Sequence, residues 1–449
     1  MTDTSTTSPL TADAVVVGSG VIGSAVALEL ARAGRDVLII DKAAGPGFGS
    51  SSASSAVIRF LYSTYDTVAT SWEAKFMWEA WAEHLGLADL PEVERPALSA
   101  FHRTGMLHLD IAAVPHEQGA DLLRAVGVPH EHLDADALAA RFGHVDTGRY
   151  WPNKPISDDA FWEDATETLG ALWTPDAGYM DDPRLAADNM AWAARHLGAR
   201  TMFRTQVVSA ERVGETWRLG LADGRTVEAL VVVNAAGPWS GAFNAMAGVG
   251  AEFTVGVRPL RQEVHQLSRP AAWDASGAEG VAPGVFDIDL GTYMRPGPAG
   301  AWVVGGTEPE CDPFDWLDDP DAVDDHVTTA RYEAQSTRAA RRLPDLRIPN
   351  RPSGVVGVYD VADDWTPIYD RTDAPGFYVA MGTSGNQFKN APIAGCFLAS
   401  IIAAVEDEGV DHDATPVTYV GAHTGLKIDL GSFSRKREVN AASTRTVLG

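Results

Sequence analysis

Cysteine is almost absent from this chain: Cys311 and Cys396 are the two among 449 residues. Two are too few for a disulfide framework and lack metal-ligand spacing, so they read as reduced thiols in a cytoplasmic protein with no metal site. No apolar run approaches the ~20 residues that a membrane-spanning helix needs. The opening Met1-Thr-Asp-Thr-Ser-Thr-Thr-Ser-Pro9 lacks the basic head and apolar middle of a secretory signal and reads as a loose tail. Positive charge is also short, with 35 basic against 61 acidic residues and a formal charge of −26. So negative a surface repels phosphate backbones and anionic lipids, and no nucleic-acid or membrane partner is expected. Cations gathered inside a cleft would stand out against that field, and a small anionic substrate would need them.

The length is enough for two domains with ample core. Ala14-Val-Val-Val17 is a short β-branched run, Gly18-Ser-Gly-Val-Ile-Gly23 a glycine-rich turn, and 21–33 a helical pattern closed by Gly34. Val37-Leu-Ile-Ile40 is a second buried strand ending at Asp41. Together they form one βαβ unit with a parallel sheet expected at its core. In such a unit Gly18, Gly20 and Gly23 permit the sharp turn, the approach of Val21 and Ile22 to a pyrophosphate, and close helix packing. Asp41 then lies where a carboxylate accepts hydrogen bonds from a ribose, with Lys42 beside it.

A helix over 67–85 carries Trp72, Phe76, Trp78 and Trp81, read as core packing. A further helix follows Asp182-Pro183, and strands over 205–208, 217–221 and 227–233 make an antiparallel meander running into Asn234-Ala-Ala-Gly237. Strand-like segments at 257–266, 285–289, 293–295 and 301–305, divided by Pro and Gly, suit a second, antiparallel sheet. One more buried strand over 376–381 precedes a glycine turn and an apolar helix over 393–405. The fold class is therefore α/β: a Rossmann-type dinucleotide domain with a discontinuous antiparallel-sheet substrate domain. The cofactor domain takes 1–90, 156–250 and 361–449, and the substrate domain 91–155 and 251–360; the stretch after 411 carries no clear pattern.

A lone glycine fingerprint does not choose between NAD, NADP and FAD. Here it continues as Gly49-Ser-Ser-Ser-Ala-Ser-Ser-Ala-Val-Ile-Arg59, and the chain later offers Ala235-Ala-Gly-Pro-Trp239 and Gly382-Thr-Ser-Gly-Asn-Gln-Phe-Lys389-Asn-Ala-Pro392. This combination resembles the flavin amine oxidases that include sarcosine oxidase, glycine oxidase and D-amino acid oxidase. The resemblance implies FAD, with Ser50, Ser51 and Ser52 running beside the flavin and the Val207 backbone meeting the adenine. Ala235, Ala236, Gly237 and Trp239 would meet the cofactor as well, as would Gly357 and the turn formed by Gly382, Ser384, Gly385, Asn386, Gln387 and Phe388.

It also implies that Arg59 and Lys389 bind the substrate carboxylate. A fork of fixed N–H donors pairs bidentately with such an anion, and an ammonium adds a point charge. Tyr359 matches a tyrosine that contacts substrate in sarcosine oxidase relatives, and Arg295 is a second candidate anion binder. Gly357 stands where monomeric sarcosine oxidases carry the cysteine that attaches their flavin, and no histidine lies near Ser50 to Ser55, so the FAD is expected to be non-covalent. The lysine that those oxidases place above the flavin is replaced at Val303, which leaves oxygen or a carrier as acceptor.

The implied activity is oxidation of a secondary or N-substituted amino acid, sarcosine-like, by hydride transfer to flavin N5, giving an imine that hydrolyses, with H2O2 if oxygen is the acceptor. Two other readings remain at this stage: a flavin-binding subunit of a larger complex with partner subunits or an electron carrier, and a flavin hydroxylase.

Overall fold

The computed structural model describes residues 9–111 and 115–446. The N-terminal segment 1–8, expected to be a loose tail, lies outside the described residues. The first sheet has a parallel core of strands in the order Arg200–Met202, Val37–Ile40, Leu10–Val17, Thr226–Asn234 and Phe377–Met381. Val37–Ile40 and Phe377–Met381 are buried on both faces, which is why they read as unbroken apolar runs rather than alternating ones. The meander Val207–Val213, Thr216–Leu221, Thr226–Asn234 extends the sheet antiparallel, and Ile368–Arg371 pairs with the far side of Phe377–Met381.

Three helices cover one another and the sheet: Val21–Arg32 packs against both Pro183–His196 and Ala391–Ile402. A Cβ at Gly395 would lie 2.5 Å from the Ala25 carbonyl, so glycine sets how closely two of them approach. Val26, Leu28 and Leu30 are completely buried there, each contributing about 1.5–3 kcal/mol of apolar burial. The expectation that no apolar stretch has membrane-spanning length is corrected: helical Phe388–Asp407 is 20 residues long and apolar enough to span, but most of it is buried inside the protein. Its hydrophobicity is that of a helix surrounded by core.

The second sheet runs Gly354–Ala362, Val257–Ser268, Ala301–Gly306, Thr292–Pro296, Gly284–Asp287, Met106–Leu109, Ala171–Thr174 and Glu131–Leu133. It is antiparallel except where Gly284–Asp287 meets Met106–Leu109. One boundary needs correction. Ala171–Thr174, assigned from sequence to the cofactor domain, pairs with Met106–Leu109 and Glu131–Leu133 and belongs to this second sheet. Its four residues are all buried, and the pairing partners that satisfy its backbone lie only there.

The helix expected over 67–85 is two helices, Tyr65–Glu79 and Trp81–His84, broken at Ala80. The break aims the Trp81 indole at Asn189 Oδ1, 3.2 Å away. Trp72, Trp78 and Trp81 are core residues, as their apolar bulk predicts. Beyond 411, where the sequence carries no pattern, Thr418–Val420 and Lys427–Asp429 form a hairpin, and Arg435 is buried among Asp370, Asp373 and Asp413. The order of that terminal stretch therefore comes from charge pairing rather than from periodicity.

Candidate active site

Parallel strands all end on the same edge of a sheet, and the loops that leave this edge form the natural binding crevice. Val17 is in register with both Ile40 and Asn234, so Gly18, Asp41 and Ala235 emerge side by side. A cavity of about 960 Å³ opens there and passes between the two sheets to Arg59 and Lys389.

At the fingerprint end, Gly18 has φ +105° and a Cβ on it would lie 2.3 Å from the Ala235 carbonyl oxygen. Gly18, Gly20, Val21 and Ile22 line the cavity. Gly23 sits one layer back, where a Cβ would come 2.0 Å from the Gly18 carbonyl oxygen. The helix Val21–Arg32 has no acidic residue in its first turn, leaving its N-terminus favourable to an anion. Ser51 Oγ accepts from Val21 N at 2.9 Å. Asp41 is held in the wall by bonds from Ser19 N and Oγ at 2.6 and 2.7 Å and from Ala43 N at 2.7 Å.

Lys42 lies over the Trp239 ring at 4.0 Å, and its ammonium and the Trp239 indole both reach Asp321 Oδ1. Val207, Ala235, Ala236 and Gly237 also line this half. Ser50 Oγ donates to the Val358 carbonyl at 2.5 Å, tying the small-residue segment to the second sheet. Ser52 turns away and donates to Gly49 O, so its expected place beside the cofactor is corrected to an exposed position outside the lining.

Gly357 lines the cavity, with Ala53 Cβ 3.0 Å from where its own Cβ would be; neither cysteine lines it. In the C-terminal turn, Gly385, Asn386, Gln387, Phe388 and Lys389 face the cavity, whereas Gly382 and Ser384 stand behind it. Ser384 Oγ accepts from Ala362 N and donates to Gly382 O, both at 3.0 Å, which fixes the turn to Gly354–Ala362. A Cβ on Gly385 would meet the Tyr359 ring at 2.2 Å, so this glycine is what lets the ring lie against the turn.

The two cations expected to share one anion do come together. Arg59 and Lys389 are 2 % and 4 % exposed and both lie against the Tyr62 ring, at 4.7 and 5.2 Å from its centroid. Lys389 Nζ donates to Tyr62 Oη at 3.0 Å and to the Asn386 carbonyl at 2.5 Å, while Tyr62 Oη donates to the same carbonyl at 2.9 Å. The Arg59 guanidinium also lies over the Phe286 ring and donates to Leu61 O. Burial, aided by Arg59, holds the Lys389 ammonium well below the usual lysine range, and burial lowers Arg59 too. Two buried cations depressed in this way are stabilised by an incoming anion.

Tyr359 lines the cavity, its phenol raised well above the ordinary range by burial and by Tyr293, toward which it donates; Tyr293 in turn bonds Ser55 Oγ at 2.8 Å. Arg295 is corrected: it lies behind the wall, where Nε donates to Ser55 O, Nη1 to Pro296 O at 2.7 Å, and the guanidinium covers Tyr179 at 4.3 Å. Alternation along Thr292–Pro296 explains this, since Tyr293 and Arg295 share the inward face but the Ser55 backbone stands between Arg295 and the cavity. Sequence reasoning missed Tyr62, Tyr293, Phe286 and Met106. Tyr62 was within reach, three residues after Arg59 in a polar-free stretch; the other three depend on sheet register and carried no local signal.

Away from the cavity, Asp110, His116 and His132 bring one ligand atom each within 4.8 Å of one another. The two imidazoles are stacked face to face at 3.6 Å with planes 5° apart, so their in-plane lone pairs run parallel and do not meet at one metal position.

An elongated crevice with a helix N-terminus, a strand-end carboxylate and glycines whose Cβ positions are already taken is what FAD requires, and the residues present fit it. The profile of the DAO family, FAD dependent oxidoreductase, matches residues 13–401. Glycine oxidase of Geobacillus kaustophilus (strain HTA426) is 25% identical over 399 residues, 88% of this chain and 93% of that protein. Among solved structures, L-proline dehydrogenase from P. horikoshii gives a TM-score of 0.71 at 20% identity, covering 96% of this chain and 98% of that one. Iminodiacetate oxidase from Chelativorans sp. BNC1 gives 0.64 at 19%, covering 88% and 98%.

Proposed function

This chain belongs to the family of FAD-dependent oxidoreductases, and on that footing we propose that it oxidises a secondary or N-substituted amino acid of the sarcosine kind. The observation that carries the reading is the meeting of Arg59 and Lys389 on the Tyr62 ring at the buried end of the crevice. Bound FAD supplies the two-electron acceptor. Gly18, Asp41 and the helix N-terminus would hold its dinucleotide portion, and the Ser50–Ala53 helix and the Gly385–Phe388 turn would flank its ring system.

The chain's own contribution to turnover is placement and charge. The arginine fork and the ammonium fix the carboxylate, and with it the carbon that loses hydrogen, and the closed walls around Phe286, Tyr293 and Tyr359 keep water from competing. Overall the amine loses two electrons and two protons, and water then hydrolyses the imine to a smaller amine and a carbonyl acid. Glycine oxidase and iminodiacetate oxidase are both named for compounds that pair an amine with a carboxylate, in keeping with this clamp.

Anaerobic addition of sarcosine, other N-methyl amino acids, opine-like compounds and iminodiacids to the holoenzyme is expected to bleach the flavin absorbance with at least one class. A panel in which none does so overturns the proposal. Hydrogen peroxide measured in air on the bleaching substrates then distinguishes oxygen from a carrier as acceptor. Acid precipitation is expected to leave all flavin in the supernatant, because Gly357 offers no thiol; yellow pellet protein would show a covalent link elsewhere.

A further inference from the structure

Residues 318–321 lie between Ala301–Gly306 of the second sheet and the helix Thr329–Arg342, yet they line the cofactor half of the cavity. Their segment leaves and returns to one strand. Leu317 N donates to the Pro259 carbonyl at 3.0 Å, and Arg261 donates from Nε and Nη2 to the carbonyls of Asp324 and His326 at 3.0 and 2.7 Å. Pro259 and Arg261 are two residues apart on Val257–Ser268, so the loop between them is an arch with both feet in one place. At its tip Asp319 Oδ1 accepts from Asp321 N at 2.9 Å, and Pro320 is buried while the aspartates around it stay exposed.

The tip reaches the two loops on either side of the glycine fingerprint. Lys42 follows Val37–Ile40 and Trp239 follows Thr226–Asn234, the strands that flank Leu10–Val17 in the first sheet. Strands two places apart are about 10 Å from each other. The Lys42 ammonium nonetheless sits 4.0 Å from the centroid of the Trp239 ring, so these loops close toward one another across the one between, which carries Gly18 and Gly20. Asp321 Oδ1 joins them, accepting from Lys42 Nζ at 2.5 Å and from the Trp239 indole N–H at 3.0 Å. All three residues line the cavity.

We infer that Asp321 is a cofactor-retaining residue: its carboxylate pins the 318–321 arch across the dinucleotide half of the crevice, so that release of FAD waits for this contact to open. The inference concerns the cofactor and stands whichever amine is oxidised. Among the described residues, the other cations lining the cavity are Arg59 and Lys389 at its far end, so Lys42 is the charge through which salt acts here. The Asp321 and Lys42 side chains are 57 % and 36 % exposed, and a pair that open shifts an equilibrium by about fivefold at most and is screened by salt. The indole bond ends on the same oxygen but carries no charge on Trp239. Retention of flavin therefore has a salt-sensitive part, from the ion pair, and a salt-insensitive part, from the indole.

The test dilutes the FAD-loaded enzyme and follows release through the fluorescence of free flavin. Raising salt from about 0.1 to 1 M, which shortens the Debye length from about 10 to 3 Å, is expected to speed release from the parent. Asp321→Asn keeps an acceptor for the indole and loses the charge; its release at low salt is expected to be about threefold faster and no longer to respond to salt. Asp321→Ala loses both contacts and is expected to release FAD about tenfold faster. Asp318→Asn removes the same charge from a side chain with no bonding partner among the described residues, and is expected to release FAD no faster than the parent. Two results overturn the inference. One is release from Asp321→Ala within about threefold of the parent, below what the two lost contacts supply; faster uptake of FAD by that apoprotein would then put the contact in the cofactor's path rather than across it. The other is equal acceleration in Asp318→Asn, which would make overall charge the cause. Melting of each apoprotein identifies a variant that fails to fold, and Asp321→Asn, an isosteric change at an exposed position, then carries the test.

Discussion

Lys389→Met is expected to raise KM for a carboxylate substrate by on the order of 10²-fold and, at the same time, to make the protein more stable. The first effect follows from burial: losing one partner of a desolvated charge pair costs about 2–5 kcal/mol, and each 1.4 kcal/mol is tenfold. An uncharged amine lacks the anion and should lose far less, so the ratio of KM changes for the two substrates is the measurement. Equal losses would mean that the lysine serves the flavin instead.

The second effect comes from the same burial. The Lys389 pKa in the folded chain lies well below its unfolded value near 10.5. Above that pH the amine is neutral in both states and contributes no difference. As pH falls through the window between the unfolded value and the depressed one, the unfolded chain takes up a proton that the folded chain resists, and stability drops. Methionine removes this cost, by about 1–4 kcal/mol on the pattern of buried ionic groups replaced by apolar ones. The Asn386 carbonyl keeps its bond from Tyr62, so no acceptor is orphaned. Thermal melting should show the variant above the parent at neutral pH, with the gap closing toward pH 10.5.

Gly18→Ala is expected to yield protein without flavin. The residue sits at φ +105°, outside the range comfortable for any L side chain, and its Cβ would be 2.3 Å from a backbone oxygen of Ala235. No rotamer relieves a contact with backbone, so either the turn or Thr226–Asn234 must move. Together the strain and the displacement cost about 3 kcal/mol or more. The shifted turn no longer presents its N–H groups to a pyrophosphate, so the ratio of visible to ultraviolet absorbance of the purified variant should fall to that of apoprotein. A variant carrying a full complement of flavin would remove the fingerprint from the binding site.

What could be read in advance divides by the range over which each signal acts. The βαβ unit was legible because strand, turn, helix and Asp41 are contiguous and each obeys a local rule. Arg59 and Lys389 were legible because flanking small residues matched a family pattern, although nothing local said that both would meet at Tyr62. Arg295 was misplaced because a strand's alternation gives the face and not what lies in front of it. Tyr293, Phe286 and Met106 face the cavity through the pairing of Gly284–Asp287 with Thr292–Pro296 and with Met106–Leu109, and no short-range rule specifies that register.

The position of Phe377–Met381 beside Thr226–Asn234 also sets an order of events during synthesis. Until the later strand emerges, Val232, Val233 and Asn234 present an open, apolar edge that another chain can pair with. Ribosomes add about 5–20 residues per second, so that edge waits roughly 7–29 s for its own partner. A chain cut short before residue 377 would thus keep that edge of Thr226–Asn234 unpaired, as a template for pairing with another chain.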